Sequence, residues 1–377
     1  MASTTQNDRH ADDTDRRGRA SISAPHRAAQ ERYRPELDGI RALCIVFTIL
    51  NHVPAVRWIN GSVGVDVFFA LSGWLITTLL LREEQESGCI ALRPYFIRRV
   101  FRILPLYVLT IVAYGALSFA GVREGAAEDF KASLIWFVTF CVEYRPAEVG
   151  HIFTHAWTLG IEEKFYLAWP LILVLTARKP ERTALVGAAG IAVMLALTPR
   201  NDFVLRGYLG LGAGAALSYA AMTQRRFRDW LRERAVAAPF LAIMAAAYLG
   251  SITLAKSPWW NIAISWSAAF VIATLWFRRD LPTARFLSWG PLPALGRLTY
   301  AIYLFQFICI HAMQVVLSAL GVPAQTAILF ATAYPLSIGV AVILHRHVER
   351  PFIRLGRQIA GRQMPRPGHH RQLAQVA

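Results

Sequence analysis

Apolar runs of roughly 17–22 residues recur along this chain and constrain its fold more than any other feature. Coiled as a helix, a run of that length matches the hydrocarbon thickness of a bilayer. The runs give helices at about 38–53, 63–81, 103–120, 157–177, 183–198, 203–221, 236–254, 259–277, 298–318 and 325–344. The 377 residues are 55% hydrophobic, with a mean hydropathy of +0.37, too apolar for an ordinary water-soluble domain. The expected fold class is therefore all-α, a polytopic membrane bundle of about ten helices. The segment 131–142, KASLIWFVTFCV, is apolar but too short for a comfortable crossing and reads as re-entrant or interfacial on the outer side.

A formal charge of +16 raises the question of a nucleic-acid partner. Its distribution answers it. With ten helices crossing and both termini in the cytoplasm, 31 of the 40 Lys and Arg residues fall in inner segments and 6 in outer ones. That asymmetry is the positive-inside signature, so the basic charge orients the chain in a lipid bilayer, and nucleic acid is not an expected partner. Counting 131–142 as an eleventh crossing would put the most basic loops outside. Residues 1–33 read as a disordered cytoplasmic tail, 34–355 as one transmembrane domain and 356–377 as a basic cytoplasmic tail. Cys44, Cys89, Cys141 and Cys309 make no C-x-x-C pair, which argues against a disulfide framework, a metal cluster or a thiol redox site. There is no internal repeat, dinucleotide fingerprint or phosphate-binding loop.

Ionisable side chains inside a membrane are costly and tend to be functional, so they mark the candidates. In DGIRALCIVFTILNH, Arg41 and His52 are eleven residues apart, about three helical turns, so both point the same way roughly 16 Å apart along the axis. Asp38 and Arg41 lie at i, i+3 and suit a pair at the helix start. Asp66, across the short connection in GVDVFFALSGWLI, is placed to hydrogen-bond one imidazole nitrogen of His52 and raise the basicity of the other. Arg98, Arg99 and Arg102 cluster in RPYFIRRVFRILP, and arginine forks suit phosphate. In HAWTLGIEEKFYLAWP, Glu162, Tyr166 and Trp169 share a helix face, and a carboxylate at that depth needs a partner or a task. His151 and His155 at i, i+4 lack the further ligands a metal site requires, so none is expected. Ser72, His155, Trp157, Tyr300 and Tyr303 are supporting positions in the same motifs.

These motifs together resemble a known family, the integral-membrane O-acyltransferases of the acyltransferase family 3 type. The likeness rests on LDGIRA with Arg41, ten further residues and His52; on GVDVFFALSGWLI; on RRVFRILPLY; on HAWTLGIEEKFYLAWP; on YAIYLFQ; and on ERPF, in that order over residues 33–355. The resemblance implies an O-acyltransferase of a bacterial cytoplasmic membrane with acyl-CoA, acetyl by preference, as co-substrate and no permanently bound cofactor. It implies that Arg41 and His52 act as a pair with His52 essential for transfer, that Arg99 and Arg102 meet the acyl-CoA, and that Glu162 is the family's glutamate; the reading of the residues adds Asp66 to the catalytic group and Arg41 and Arg98 to the acyl-CoA set. The implied acceptor is a hydroxyl of a carbohydrate, with a macrolide or other small metabolite as the alternative. Direct attack on the thioester and an acyl-histidine intermediate both remain open. Three departures concern the acceptor and the chain's extent: Gln306 stands where many members have His, Lys164 replaces a common Gln, and no esterase-like domain follows the bundle. The rival from another class is a membrane carrier of a glycolipid or small anion, although matched pairs of broken helices are missing.

Overall fold

The computed structural model describes residues 33–50, 60–121, 124–146, 148–150, 152–176, 179–197, 202–234, 236–254, 257–323 and 326–362. His52 and His151 lie outside the described residues, as do 1–32 and 363–377 of the two expected tails. Every described element is helical. In chain order the helices are α1 Pro35–Leu50, α2 Ser62–Ser87, α3 Leu92–Phe119, α4 Ala126–Val138 and α5 Trp157–Leu175. There follow α6 Pro180–Leu197, α7 Asp202–Thr223, α8 Arg225–Glu233, α9 Ala237–Thr253 and α10 Pro258–Phe277. The last are α11 Pro282–Leu287, α12 Pro291–Gly296, α13 Thr299–Ala319, α14 Thr326–Leu344 and α15 Arg350–Gly361, with a π turn at His345–Glu349 joining α14 to α15.

Local chemistry explains several of the ends. Pro35 opens α1 with Glu36 and Asp38 in its first turn, where fixed φ and negative charge both favour a helix start. Ser257 caps α10 by accepting from the Trp259 amide at 3.3 Å, with Pro258 as the first helical residue. Gly88 ends α2 in a left-handed conformation, φ 80°.

Over their described residues all ten expected apolar runs are helical, while fewer helices than ten meet a strict test of length and apolarity. Among the described residues five helices qualify as spans by length and apolarity: Ser62–Ser87, Leu92–Phe119, Pro258–Phe277, Thr299–Ala319 and the composite Ala327–Gly361; the bent pair α8–α9 makes a sixth if counted as one. Helix α1 has only 16 residues, and α5 carries Glu162, Glu163 and Lys164 in its apolar run. Two boundaries also move. Helix α3 begins at Leu92, so Arg98, Arg99 and Arg102 lie within it, because arginine is a good helix former even where apolar periodicity is absent. Helix α15 runs through 350–361 and takes in the start of the segment assigned to the C-terminal tail. The short apolar segment forms the 13-residue helix α4, about 20 Å long and well under the hydrocarbon thickness.

Helices α2, α7 and α10 form the densest part of the bundle, with Trp74, Leu211 and Ile264 fully buried. The α2–α7 seam is tight because it has no side chains at its closest points. A Cβ on Gly73 would run into the Leu211 carbonyl, and one on Gly214 into that of Ala70. Without a hydrophobic drive between helices in lipid, such small-residue seams let dispersion and polar contacts hold the pair. Helix α1 is fixed in the same way: the Cys44 carbonyl lies over Gly64 of α2, and the Asp38 carbonyl over Gly296 of α12. These contacts hold one face of α1 toward the bundle interior.

Candidate active-site cavity

That face of α1 forms one wall of a cavity of about 500 Å³. Asp38, Arg41, Cys44, Ile45 and Thr48 line it at helical spacing. Helix α2 contributes Val65, Phe68, Phe69 and Ser72; α3 contributes Arg99 and Arg102. Helix α5 contributes Thr158, Glu162, Glu163 and Tyr166, and α13 adds Thr299, Tyr300 and Tyr303. Residues 90 or more apart in the chain thus meet around one space.

Glu162 sits in this wall, 6% exposed. Ser72 Oγ donates to its Oε1 at 3.3 Å, and the Tyr166 hydroxyl donates to its Oε2 at 2.9 Å. A buried carboxylate needs such partners, since an unpaired one carries a large desolvation cost. The Arg99 guanidinium lies 4.9 Å from the Tyr166 ring centroid and 5.6 Å from that of Tyr95. The Tyr95 hydroxyl donates to the Tyr166 carbonyl at 3.2 Å, closing the cluster. Arg99 thereby supports the tyrosine that orients Glu162. Arg102 faces the cavity, exposed, and makes no ion pair among the described residues. Arg41 donates to Asp38 Oδ1 at 2.8 Å, so the expected local pair exists while Arg41 still lines the cavity.

Farther out, Tyr303 donates to the His155 carbonyl at 2.5 Å and lies 2.8 Å from Thr158 Oγ1. Tyr300 donates to the Ile103 carbonyl at 2.9 Å, which ties α13 to α3. The His155 ring packs in an aromatic group with Phe153, Tyr303 and Phe307 at centroid distances of 4.9, 5.3 and 4.7 Å. Trp157 packs at a tilt against Phe203 and Phe69. Both rings stand behind the cavity wall.

Two expected site residues have other partners among the described residues, and any contact of Asp66 with His52 lies outside them. Asp66, read as the partner of His52, is fully buried away from the cavity wall and is held by Arg206 of α7 and Asn261 of α10. Asn261 Nδ2 donates to Asp66 Oδ2 at 2.6 Å, and Ser265 Oγ to the Asp66 backbone carbonyl at 3.2 Å. Arg98, read as an acyl-CoA ligand, pairs with Glu83 at 2.9 Å and joins the C-terminal part of α2 to the N-terminal part of α3. Of the expected arginines the cavity is therefore lined by Arg41, Arg99 and Arg102, since Arg99, Arg102 and Ile103 at i, i+3 and i+4 share one face of α3 and Arg98 does not line it.

Sequence reasoning missed Arg206, Tyr33, Arg297 and Arg357. Arg206 was findable, being a cation within an apolar helix that needed an anion. The other three lie at the cavity rim, where the two arginines read from sequence as ordinary topology charges and Tyr33 as a tail residue. Lys164 is directed outward from the cavity to the loop before α5, where it bonds Glu143 at 2.7 Å and the Phe140 carbonyl. Burial pushes the Glu143 carboxyl up from its usual range, partly offset by Lys164. Among the described residues no group of His, Cys, Asp and Glu side chains is arranged to hold a metal.

Fold and site together define a helical membrane protein with a cavity that carries buried carboxyl groups and several arginines. The chain belongs to the acyltransferase-3 family, whose acyltransferase domain it matches over residues 34–346. Among its relatives are proteins named O-acetyltransferase OatA from Staphylococcus aureus strains COL and MW2, 29% identical over 305 residues, or 73% of this chain and 50% of theirs. The chain thus spans about half the length of the curated relatives it matches. No solved structure matches it.

Proposed function

We propose that this chain is an integral-membrane O-acyltransferase that moves an acyl group, acetyl by preference, from cytoplasmic acyl-CoA to a hydroxyl of a carbohydrate. The observation that carries this reading is the cavity itself. It brings a hydrogen-bonded carboxylate, Glu162, and the cations Arg41, Arg99 and Arg102 onto one surface at the start of α1 and α3. Arg99 and Arg102, which make no ion pair among the described residues, suit the phosphates of a coenzyme, and the mixed polar and apolar lining suits its pantetheine arm. The names of the staphylococcal relatives support acetyl as the group moved.

His52 follows Thr48, a cavity residue, by four positions in sequence. In the proposed reaction the acceptor oxygen bonds to the thioester carbonyl carbon as its proton passes to His52. The carbon–sulfur bond then breaks, and the leaving thiolate takes the proton from the imidazolium. An acyl-histidine route reaches the same products in two transfers. Glu162 orients the acceptor or balances the charge on His52. The test uses purified protein in nanodiscs with acetyl-CoA labelled in the acetyl group. Transfer to an added glycan, lost in His52→Ala at unchanged protein level, is the expected result. Transfer that survives in His52→Ala removes the proposed base, and transmembrane flux of label without thioester loss replaces the enzyme with a carrier.

A further inference from the structure

The cavity has cations at two levels. The inner set is Arg41, Arg99 and Arg102, beside Glu162 and Tyr166. The outer set is Arg297 and Arg357, both exposed and both on the cavity wall. Two measures separate the levels. Arg297 donates at 3.0 Å to the hydroxyl of Tyr33, which precedes the first turn of α1, while Arg41 is two turns farther along that helix, roughly 9 Å. From the π turn into α15, Glu349, Ile353 and Arg357 line the cavity at i, i+4 and i+8, which sets Arg357 about 12 Å beyond Glu349.

Neither outer arginine is neutralised. Arg357 makes no ion pair among the described residues. Arg297 spends one donor on the neutral Tyr33 hydroxyl, which itself donates to Asp38 at 2.9 Å, and a guanidinium has five. An arginine held by a neutral phenol keeps its full charge for a ligand. Ordinary topology charges would face headgroups or bulk water; these two face a cavity that leads to the inner set.

Coenzyme A carries its anionic charge at two points as well. The diphosphate adjoins the pantetheine arm, and a separate phosphomonoester hangs from the ribose, one nucleoside farther from the thioester. We propose that Arg297 and Arg357 form a subsite for the ribose 3′-phosphate, with the inner arginines taking the diphosphate. The assignment rests on the acyl-CoA reading and deepens it. It makes the site selective for coenzyme A over shorter pantetheine thioesters, because a phosphomonoester with two negative charges meets two forked donors at the rim.

The test compares acetyl-CoA with acetyl-dephospho-CoA, which lacks only that phosphate, by binding and by KM in phosphatidylcholine nanodiscs. Wild type is expected to prefer acetyl-CoA by about tenfold or more, the scale of one charge-assisted hydrogen bond. Arg297→Ala and Arg357→Ala are expected to erase that preference by weakening acetyl-CoA alone, with dephospho-donor binding unchanged. Equal affinity of wild type for the two donors overturns the subsite and leaves the acyl-CoA reading standing, as does a loss in the variants that falls equally on both donors. Failure of wild type to bind either donor overturns both readings. A lipid phosphate is the other source of the same chemistry. A preference that vanishes in phosphatidylglycerol nanodiscs gives the rim to a headgroup and overturns the coenzyme assignment.

Discussion

Arg206 of α7 donates to both carboxylate oxygens of Asp66 of α2 at 2.9 Å, with neither residue more than 9% exposed. The pair joins helices 140 residues apart in sequence, and Asn261 adds the third helix. Breaking a buried pair leaves an uncompensated charge and costs about 3–5 kcal/mol. Arg206→Ala is expected to lower the thermal midpoint of the detergent-solubilised protein sharply. The double variant Asp66→Leu/Arg206→Leu is expected to recover most of that loss, because both charges leave together. A single variant as stable as wild type means the pair does not support the bundle.

Glu162 and its two donors make a second prediction. Glu162→Gln keeps the shape but removes the charge, and is expected to cut the rate of transfer at least about a hundredfold, the usual range for a positioned acid–base group. Tyr166→Phe removes one hydrogen bond and is expected to cost about tenfold while fold and donor binding persist. Single-turnover rates with acetyl-CoA read both. Unchanged rates in Glu162→Gln leave the carboxylate with a structural role.

The α2–α7 seam predicts a steric failure. Gly214→Leu would drive a side chain into the Ala70 carbonyl and the Trp74 amide. Overpacking of this kind costs typically 1–3 kcal/mol, and more where backbone is struck. Gly212, on the same helix, meets only a methyl of Ile191 at 3.5 Å from where its Cβ would lie. Gly214→Leu is expected to lose folded yield in membranes while Gly212→Ala retains it, measured by size-exclusion profile after solubilisation.

The two arginines that sequence placed side by side are expected to behave differently. Arg102 is on the cavity and Arg98 is paired with Glu83. Arg102→Ala should raise KM for acetyl-CoA about tenfold or more with little change in the thermal midpoint. Arg98→Ala should leave KM near wild type and shift stability by about 1 kcal/mol or less, as a partly exposed ion pair does.

Glu143 gives a pH dependence outside the spanning helices. Burial raises its carboxyl despite the Lys164 contact. A raised folded-state value means the folded protein holds the proton more tightly than the unfolded chain. The stability this contributes is full below the unfolded value and is lost as pH rises through the folded one. Glu143→Gln removes that titration, so the variant is expected to gain on wild type as pH rises from about 5 to 8. Thermal midpoints that track in parallel across that range overturn the assignment.

The helices were legible because membrane apolarity is a property of contiguous residues. Over their described residues all ten runs are helical, and where α3 differs, the reason is that the Arg-rich stretch before Ile103 carries helix propensity without apolar periodicity. The pairings Asp38–Arg41 and Glu162–Tyr166 were legible too, since each lies within one turn. Ser72 on Glu162, Arg206 on Asp66 and Tyr33 on Arg297 were not, being 90, 140 and 264 residues apart.

Sequence by itself determined which segments coil and which intramembrane charges need an explanation, because hydropathy and helical spacing are local. It left open which charge answers which. Asp66 and Glu162 are both acids in apolar helices, yet one is held by a guanidinium within the bundle and the other by hydroxyls on a cavity wall. Only the tertiary structure decided that, because partner choice depends on which helix faces meet, and those meetings are set by close backbone approaches such as Gly73 on Leu211 and Gly64 on Cys44.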